Sequence, residues 1–455
     1  MNKLLSSFLL VCLNSMLLAQ HFDIPVQEMA SLERRLKRNK QLAQESVFPR
    51  WNIQYVPITF HLTAKDDGTQ RVSERAILDQ LCSLNEDFAP LNIQFYIHRL
   101  HYINSSVLFD NHRQGQTQME NERDRFSIDV FIFENANTDS GIEEGITFGY
   151  YSPSRDWVVM RKDQISGRSV VLTHELGHFF SLLHPYNGWD NEPWEEAVHG
   201  NPAPRLSPRG IRTEQQNGGN CDNAGDFLCD TPPDYFFAFG WRNCTYNGGA
   251  QDPNGELVDP DESLFMANFL QGCSRSDYNF SPQQQSMMQT DLQTDQRAYL
   301  RTGFQPTDLA ATSTTAITPS SGVNIPTHNL VSFNWTPISG ATQYLVEIDR
   351  LPTFALQATS IVTDKNFLEV NTLLPNTRYY WRVRPFNAQS TCTSFTLPSA
   401  FTTGNMVADL DGGLLEDWAI FPNPSRVANA LQIELTTNRS FEAKLQLFDS
   451  LGRLV

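Results

Sequence analysis

Past its first twenty residues, this sequence has no apolar run long enough to span a bilayer, so no transmembrane anchor is expected. Positive charge is scarce: 34 Lys and Arg face 51 Asp and Glu, for a formal net charge of -17 at pH 7. That balance repels nucleic acid and anionic membranes, and it suits a soluble exported protein or one that binds calcium. Cysteine is sparse too, seven among 455 residues, and no two sit at the tight paired spacing of a cysteine zinc site. None falls between residues 21 and 50, so a leader there could not silence a metalloenzyme with a thiolate.

What is present begins with "MNKLLSSFLLVCLNSMLLAQ", residues 1–20. An early lysine, an apolar run and Ala19 near its end read as a secretory signal peptide. Cys12 lies inside that run without the small residues that precede a lipid-modified cysteine. Removing it leaves Cys82, Cys221, Cys229, Cys244, Cys273 and Cys392, an even number suited to disulfides in an oxidising compartment. Sequence leaves the connectivity open, with Cys221–Cys229 and Cys244–Cys273 the first pairings to expect. Residues 21–50 are basic around Arg34, Arg35, Lys37 and Arg38. They read either as a pro-segment with a processing site or as a solvated leader helix.

A chain of this length, 40% hydrophobic, has material for two or three domains. From Trp51 the strand-like stretches "IQYVPITFHLT", "IQFYIHRL", "FSIDVFIF" and "DWVVMRK" are interrupted by "SERAILDQLCSLNEDF". The last is an amphipathic helix with Ile77, Leu81, Leu84 and Phe88 on one side. Residues 51–303 are therefore expected to form an α/β (α+β) domain with a mixed sheet. Near Gly303 the composition turns to Thr, Ser and Pro, and residues 306–404 carry strand patterns only. Residues 405–455 make an acidic connector and a tail.

The stretch that carries chemistry is "VVLTHELGHFFSLLHPYNGWD", residues 170–190. Four residues apart on a helix, His174 and His178 share a face and can present both imidazoles to one ion. Leu172, Leu176, Phe179 and Leu183 follow an apolar helical stripe, and position 174 lies about 200 degrees around from 172, away from it. His184 follows His178 by six residues, a rotation of about 600 degrees that a continuous helix would send off the shared face. The helix must end and turn near Ser181 for a third imidazole to reach the ion. Three neutral imidazoles with a coordination position left for water are what catalytic zinc takes. Glu175 is placed to accept a proton from zinc-bound water and pass it to a leaving amine.

His174, Glu175, His178 and His184 resemble the H-E-x-x-H-x-x-G-x-x-H pattern of metzincin proteases. The surroundings are similar to the pappalysin group, which includes ulilysin and other cytophagalysins, on "YVPITFHLT", "LNEDF", "GDFLCDTPP", "FMANF" and "NFSPQQ". The resemblance, over about residues 52–300, implies a zinc endopeptidase with a cleft between an upper sheet-containing subdomain and a lower irregular one. It makes the three histidines ligands, Glu175 base and acid, and Met266 the Met-turn residue beneath the metal. Two positions depart from the pattern: Ser181 stands for glycine, and Asn268 stands where the family has the tyrosine that helps stabilise the oxyanion. Asn268 substitutes, Tyr278 approaches from the loop, or the zinc takes most of that load. The segment "NCDNAGDFLCDTPP" resembles a calcium-binding region, implying Asp226, Asp230 and Thr231 as ligands; an acidic loop with aspartates capping turns is the alternative.

Residues 306–404 resemble a fibronectin type III domain, with Trp335 in "VSFNWTPISGATQYLVEI" and Tyr379 of "LLPNTRYYWRVR" fitting a tyrosine corner. The tail, with "FPNPS" and "SLGRLV", is similar to the start of the C-terminal sorting domain of type IX secretion in Bacteroidetes, which implies that secretion machinery as a partner. The leading expectation is a secreted or cell-surface zinc endopeptidase acting on protein or peptide. A surface adhesin or carbohydrate-associated protein with an inactive protease-like domain is the competing one.

Overall fold

β1 (Gln54–Ala64) is the spine of a five-stranded sheet, and its residues from Val56 on are all buried. A strand covered on both faces reads as a near-continuous apolar run, which is why this segment lacks clean alternation. In the computed structural model, which describes residues 26–45, 52–137, 147–267, 273–355, 358–408, 415–421 and 432–437, β1 pairs in parallel with β2 (Ile93–Asn104) and β3 (Ile128–Phe133). β5 (Trp157–Arg161) joins β3 in parallel, and β4 (Gly149–Ser152) closes that edge antiparallel to β5. The order is β2-β1-β3-β5-β4, a mixed sheet as the strand patterns suggest. The expected signal peptide with Cys12, Asn268, "PNP" at 422–424 and "LGRLV" at 451–455 lie outside the described residues.

Helices precede, interrupt and follow these strands along the chain. α1 (Val26–Glu45) buries Met29, Leu32 and Leu36 on one stripe and, unusually, Arg35 and Asn39 beside them; Arg34, Lys37 and Arg38 are exposed. α2 (Glu74–Phe88) buries Ile77, Leu81, Leu84 and Phe88 fully. Two short helices follow β2, α3 (Ser106–Asp110) and α4 (Gln116–Glu122). α5 (Val171–Phe179) carries the first two histidines, α6 (Glu196–His199) is a single turn, and α7 (Pro282–Gln293) begins with a capping box of Ser281 and Gln284. Between α5 and α7 the chain is irregular, held by isolated bridges, an aromatic cluster around Tyr186, Trp189, Tyr235 and Phe237, and the disulfides Cys221–Cys229 and Cys244–Cys273.

The chain divides into two units, the first comprising 1–65, 70–72 and 83–304, the second 66–69, 73–82 and 305–455. In the second, β6 (Ala316–Thr318), β8 (Val331–Trp335) and β11 (Phe367–Val370) form one sheet. β7 (Val323–Thr327), β9 (Gln343–Asp349), β10 (Thr359–Thr363), β12 (Arg378–Phe386) and β13 (Ser399–Met406) form the other, ordered β10-β9-β12-β13-β7. Trp335, Phe333, Tyr344, Trp381 and Phe401 fill one core, the inward residues of alternating strands. The Tyr379 hydroxyl accepts the Leu374 backbone N–H at 2.9 Å, and Trp381 donates to the Pro319 carbonyl at 2.9 Å. A third disulfide, Cys82–Cys392, belongs to this unit, as do β14 (Leu415–Phe421) and β15 (Gln432–Thr437), an antiparallel pair.

Candidate metal centre

The end of α5 is built from hydrogen bonds that sequence spacing only hinted at. Leu182 N donates to the Gly177 carbonyl and Ser181 N to the His178 carbonyl, both at 2.9 Å. This is the paired pattern of a Schellman motif, whose turning residue is left-handed and usually glycine. Here Ser181 holds that place with φ +80°, at a cost of about 1–2 kcal/mol for a residue with a Cβ. The helix therefore stops, and His184 is swung back toward the first two histidines. All nine residues of α5 are buried, with the segment that carries Phe265 and Met266 lying against the histidine side.

The three Nε2 atoms lie 3.1 Å (His174 to His178), 3.0 Å (His178 to His184) and 3.2 Å (His174 to His184) apart. Each Nδ1 faces an oxygen: the Phe265 carbonyl at 2.6 Å for His174, the Leu182 carbonyl at 2.8 Å for His178, and Asp190 Oδ1 at 2.8 Å for His184. An Nδ1 beside a carbonyl must donate, so these rings carry their protons on Nδ1 and turn Nε2 lone pairs toward one another. Three lone pairs at such separations repel unless a cation sits among them. The spacing also suits it, since nitrogens about 2.0–2.1 Å from a tetrahedral ion are about 3.3 Å apart. Glu175, fully buried, lies next to the first histidine.

Met266 is also fully buried. A Cβ added at Gly177, the residue before His178, would fall on Met266 Sδ. That glycine is what lets the methionine lie directly against the histidine-bearing helix. Tyr278 stacks on Phe265 with ring centroids 5.8 Å apart and, with Asp87 and Arg275, lines a cleft of about 590 Å³. Burial, with Asp277 beside it, holds its hydroxyl above the usual range.

Around the histidines runs a second set of contacts invisible in the motif. Asp190 accepts from Gly188 N at 2.7 Å and from Arg209 at 3.2 Å as well as facing His184. Burial pushes its carboxyl up, but the His184 and Arg209 contacts outweigh that and hold it below the usual carboxylate range. Behind the end of α5, Asp291 of α7 is paired with two buried guanidiniums, Arg35 and Arg297. Both arginines also donate to the Phe179 carbonyl, one of the last of the helix. Arg297 further pairs with Asp156 at 2.7 Å and lies over the Phe179 ring, 3.6 Å from its centroid.

The expected calcium ligands divide. Asp226 is fully buried and accepts from Leu228 N and Thr231 Oγ1, each at 2.9 Å. Asp230 has both oxygens engaged at the start of α7, accepting from Ser281 Oγ at 2.8 Å and Gln283 N at 2.7 Å. Asp226 acts on a second buried carboxyl, Glu214, that the sequence pattern did not single out. It is buried, and a Cβ at Gly225 would collide with its Oε2. Burial and the adjacent Asp226 charge push the Glu214 carboxyl up; burial does the same to Asp226. Among the described residues, His174, His178 and His184 form the one buried all-histidine group able to hold a metal.

The buried His174, Glu175, His178 and His184 cluster thus has the form of a metzincin zinc-binding motif, which marks the first unit as metalloprotease-like. Comparison with known proteins is in keeping. The chain is similar to an extracellular metalloprotease of Colletotrichum graminicola, 24% identical over 258 residues that cover 51% of this chain and 74% of that protein. An extracellular metalloprotease of Neurospora crassa is 24% identical over 188 residues, covering 36% of this chain and 63% of that one. The chain is a distant relative of extracellular metalloproteases. No protein-family profile matches it. Similar solved structures include fibronectin type III domains from the human KIAA0970 protein (18% identical, covering 21% of this chain and 74% of that one, TM-score 0.17) and human contactin 1 (16%, 23% and 87%, 0.18). Scores of that size carry no argument about the fold.

Proposed function

We propose that the chain is a secreted zinc endopeptidase of metzincin type, and that His174, His178 and His184 hold the ion. The observation that carries this is the convergence of three Nε2 lone pairs whose Nδ1 atoms are all engaged elsewhere. A bound zinc would supply Lewis acidity toward the scissile carbonyl. The chain's own residues do the rest. Glu175 takes the proton of the attacking water and delivers it to the departing amine. Tyr278, stacked on the residue that anchors His174, is the described side chain we assign to the oxyanion. Export is supported by three disulfides, which persist in oxidising compartments. The second unit, with its two sheets and tyrosine corner, is read as a fibronectin type III-like module. We read type IX secretion from the tail's sequence alone.

We assign a calcium ion to Glu214, Asp226 and Thr231, because two adjacent buried carboxylates suit a hard cation. Metal analysis of the purified protein, with digestion of a denatured protein in the presence and absence of a zinc chelator, tests both assignments. About one zinc per chain and proteolysis abolished by the chelator are expected, with calcium lost in Glu214→Gln. Zinc without any cleavage would favour the adhesin reading; no zinc would sink the enzyme.

Asp190→Asn is a sharper probe of the support around the third histidine. Removing the carboxylate that orients a metal-bound imidazole typically costs 10–100-fold in affinity. A chelator competition titration should therefore show zinc held about 10–100-fold more weakly than in wild type. Unchanged affinity would mean that Asp190 serves only the fold.

A further inference from the structure

The segment containing the basic residues of the sequence, read there as a pro-segment or a solvated leader, is tied to the metal centre at three separate points. At the first, Asn39 Nδ2 of α1 donates to Ser181 Oγ at 2.9 Å and to Asp291 Oδ1 at 2.7 Å. Ser181 is the left-handed residue on which the turn toward His184 depends. At the second, Arg35 Nη2 donates to the Phe179 carbonyl at 2.6 Å, closing the end of α5. At the third, Glu33 accepts from Arg209 Nη2 at 3.1 Å, Arg209 Nη1 reaches Asp190 at 3.2 Å, and Asp190 faces His184 Nδ1 at 2.8 Å. The helix is anchored elsewhere by Glu28 on Ser154 and by Lys40 on Asp222.

An inhibitory leader would lie over the catalytic groups and leave few buried bonds behind when removed. α1 does the reverse: it lies behind the end of α5, and Arg35 and Asn39 are buried in bonds to the elements that aim the histidines. We propose that α1 is a permanent positioning element of the metal centre, with Asn39 holding the Ser181 turn and Glu33 orienting His184 through Arg209 and Asp190. The proposal rests on the reading of the three histidines as zinc ligands. It assigns α1 to the active protein and makes any maturation cut between Arg34 and Arg38 inactivating.

Outer partners of a ligating histidine typically change metal affinity by 10–100-fold. Full-length Glu33→Ala, Glu33→Gln, Asn39→Ala and Ser31→Ala proteins would be compared with wild type by zinc-chelator competition and by the visible absorption of the cobalt-substituted form. Ser31, exposed on α1 and donating to the Glu28 carbonyl of its own helix, is the control. Glu33→Ala and Asn39→Ala are expected to hold zinc about tenfold more weakly with a shifted cobalt spectrum. Glu33→Gln, which can still accept from Arg209, restores most of the affinity, and Ser31→Ala changes nothing. If Asn39→Ala does not fold, the Glu33 pair decides alone, since that side chain is an ion-pair partner at the edge of the helix. Wild-type zinc affinity and an unshifted cobalt spectrum in the Glu33→Ala protein would overturn the proposal while leaving the zinc site intact. A wild-type protein that binds no zinc would overturn both.

Discussion

Glu175→Gln protein is expected to load zinc like wild type and to cleave denatured protein about 10²–10⁴-fold more slowly, the usual worth of a positioned general acid–base group. The glutamine amide has nearly the same shape and cannot take a proton from the attacking water. The three histidines keep their Nδ1 acceptors, none of which is Glu175, so metal affinity has no reason to fall. That separation of effects is the useful part. A loss of both zinc and activity would mean that Glu175 shapes the site, and equal cleavage rates would remove it from the chemistry altogether. The rates should be read under single-turnover conditions, so that slow product release does not mask the chemical step.

Asp291→Ala is expected to destabilise the chain by about 3–5 kcal/mol, the cost of stripping one partner from a buried ion pair. The aspartate is fully buried between Arg35 and Arg297, both also buried. Its removal leaves two guanidiniums facing each other without a counter-charge, and Asn39 without one of its acceptors. Chemical denaturation near neutral pH measures the loss. The same cluster sets an acid limit. Burial pushes the Asp291 carboxyl up, but Arg35 and Arg297 outweigh it and hold the carboxyl below its ordinary value near 3.8; Asp156 beside Arg297 is held low in the same way. A carboxyl whose folded value is depressed contributes fully above its unfolded value and loses that contribution as pH falls through the folded one. Wild type should therefore lose stability steeply below about pH 4, and the Asp291→Ala protein less steeply. A difference between the two that stays constant down to pH 2 would contradict the ion-pair account.

What could be read from the residues was what is local and periodic. The apolar stripe of α2, the strand runs β1, β2, β3 and β5, and the offset of the third histidine all follow from spacings within a few turns of chain. β4 is only four residues long and fully buried, too short to show a period. The supports of the histidines were hidden for another reason. A backbone carbonyl such as Phe265 has no signature in the sequence, and Asp190 looks like any acid in a polar loop. Glu214 lies 12 positions ahead of Asp226, outside the segment whose pattern suggested a cation. α1 stayed ambiguous because its exposed Arg34, Lys37 and Arg38 dominate its composition, while the informative residues, Arg35 and Asn39, are polar groups buried by partners more than 100 positions away. Cys82 and Cys392, 310 residues apart, could not have been paired by proximity.

The acceptors behind the three histidines are of two kinds, and the difference bears on how this centre can change by mutation. His174 and His178 lean on the main-chain oxygens of Phe265 and Leu182, which every substitution at those positions leaves in place. His184 alone leans on a side chain, Asp190, itself held by Arg209. Drift or selection thus has one adjustable point among the three. Single substitutions along Glu33, Arg209 and Asp190 can grade the hold on the ion in small steps, while the two helical histidines keep theirs in every descendant that keeps the fold.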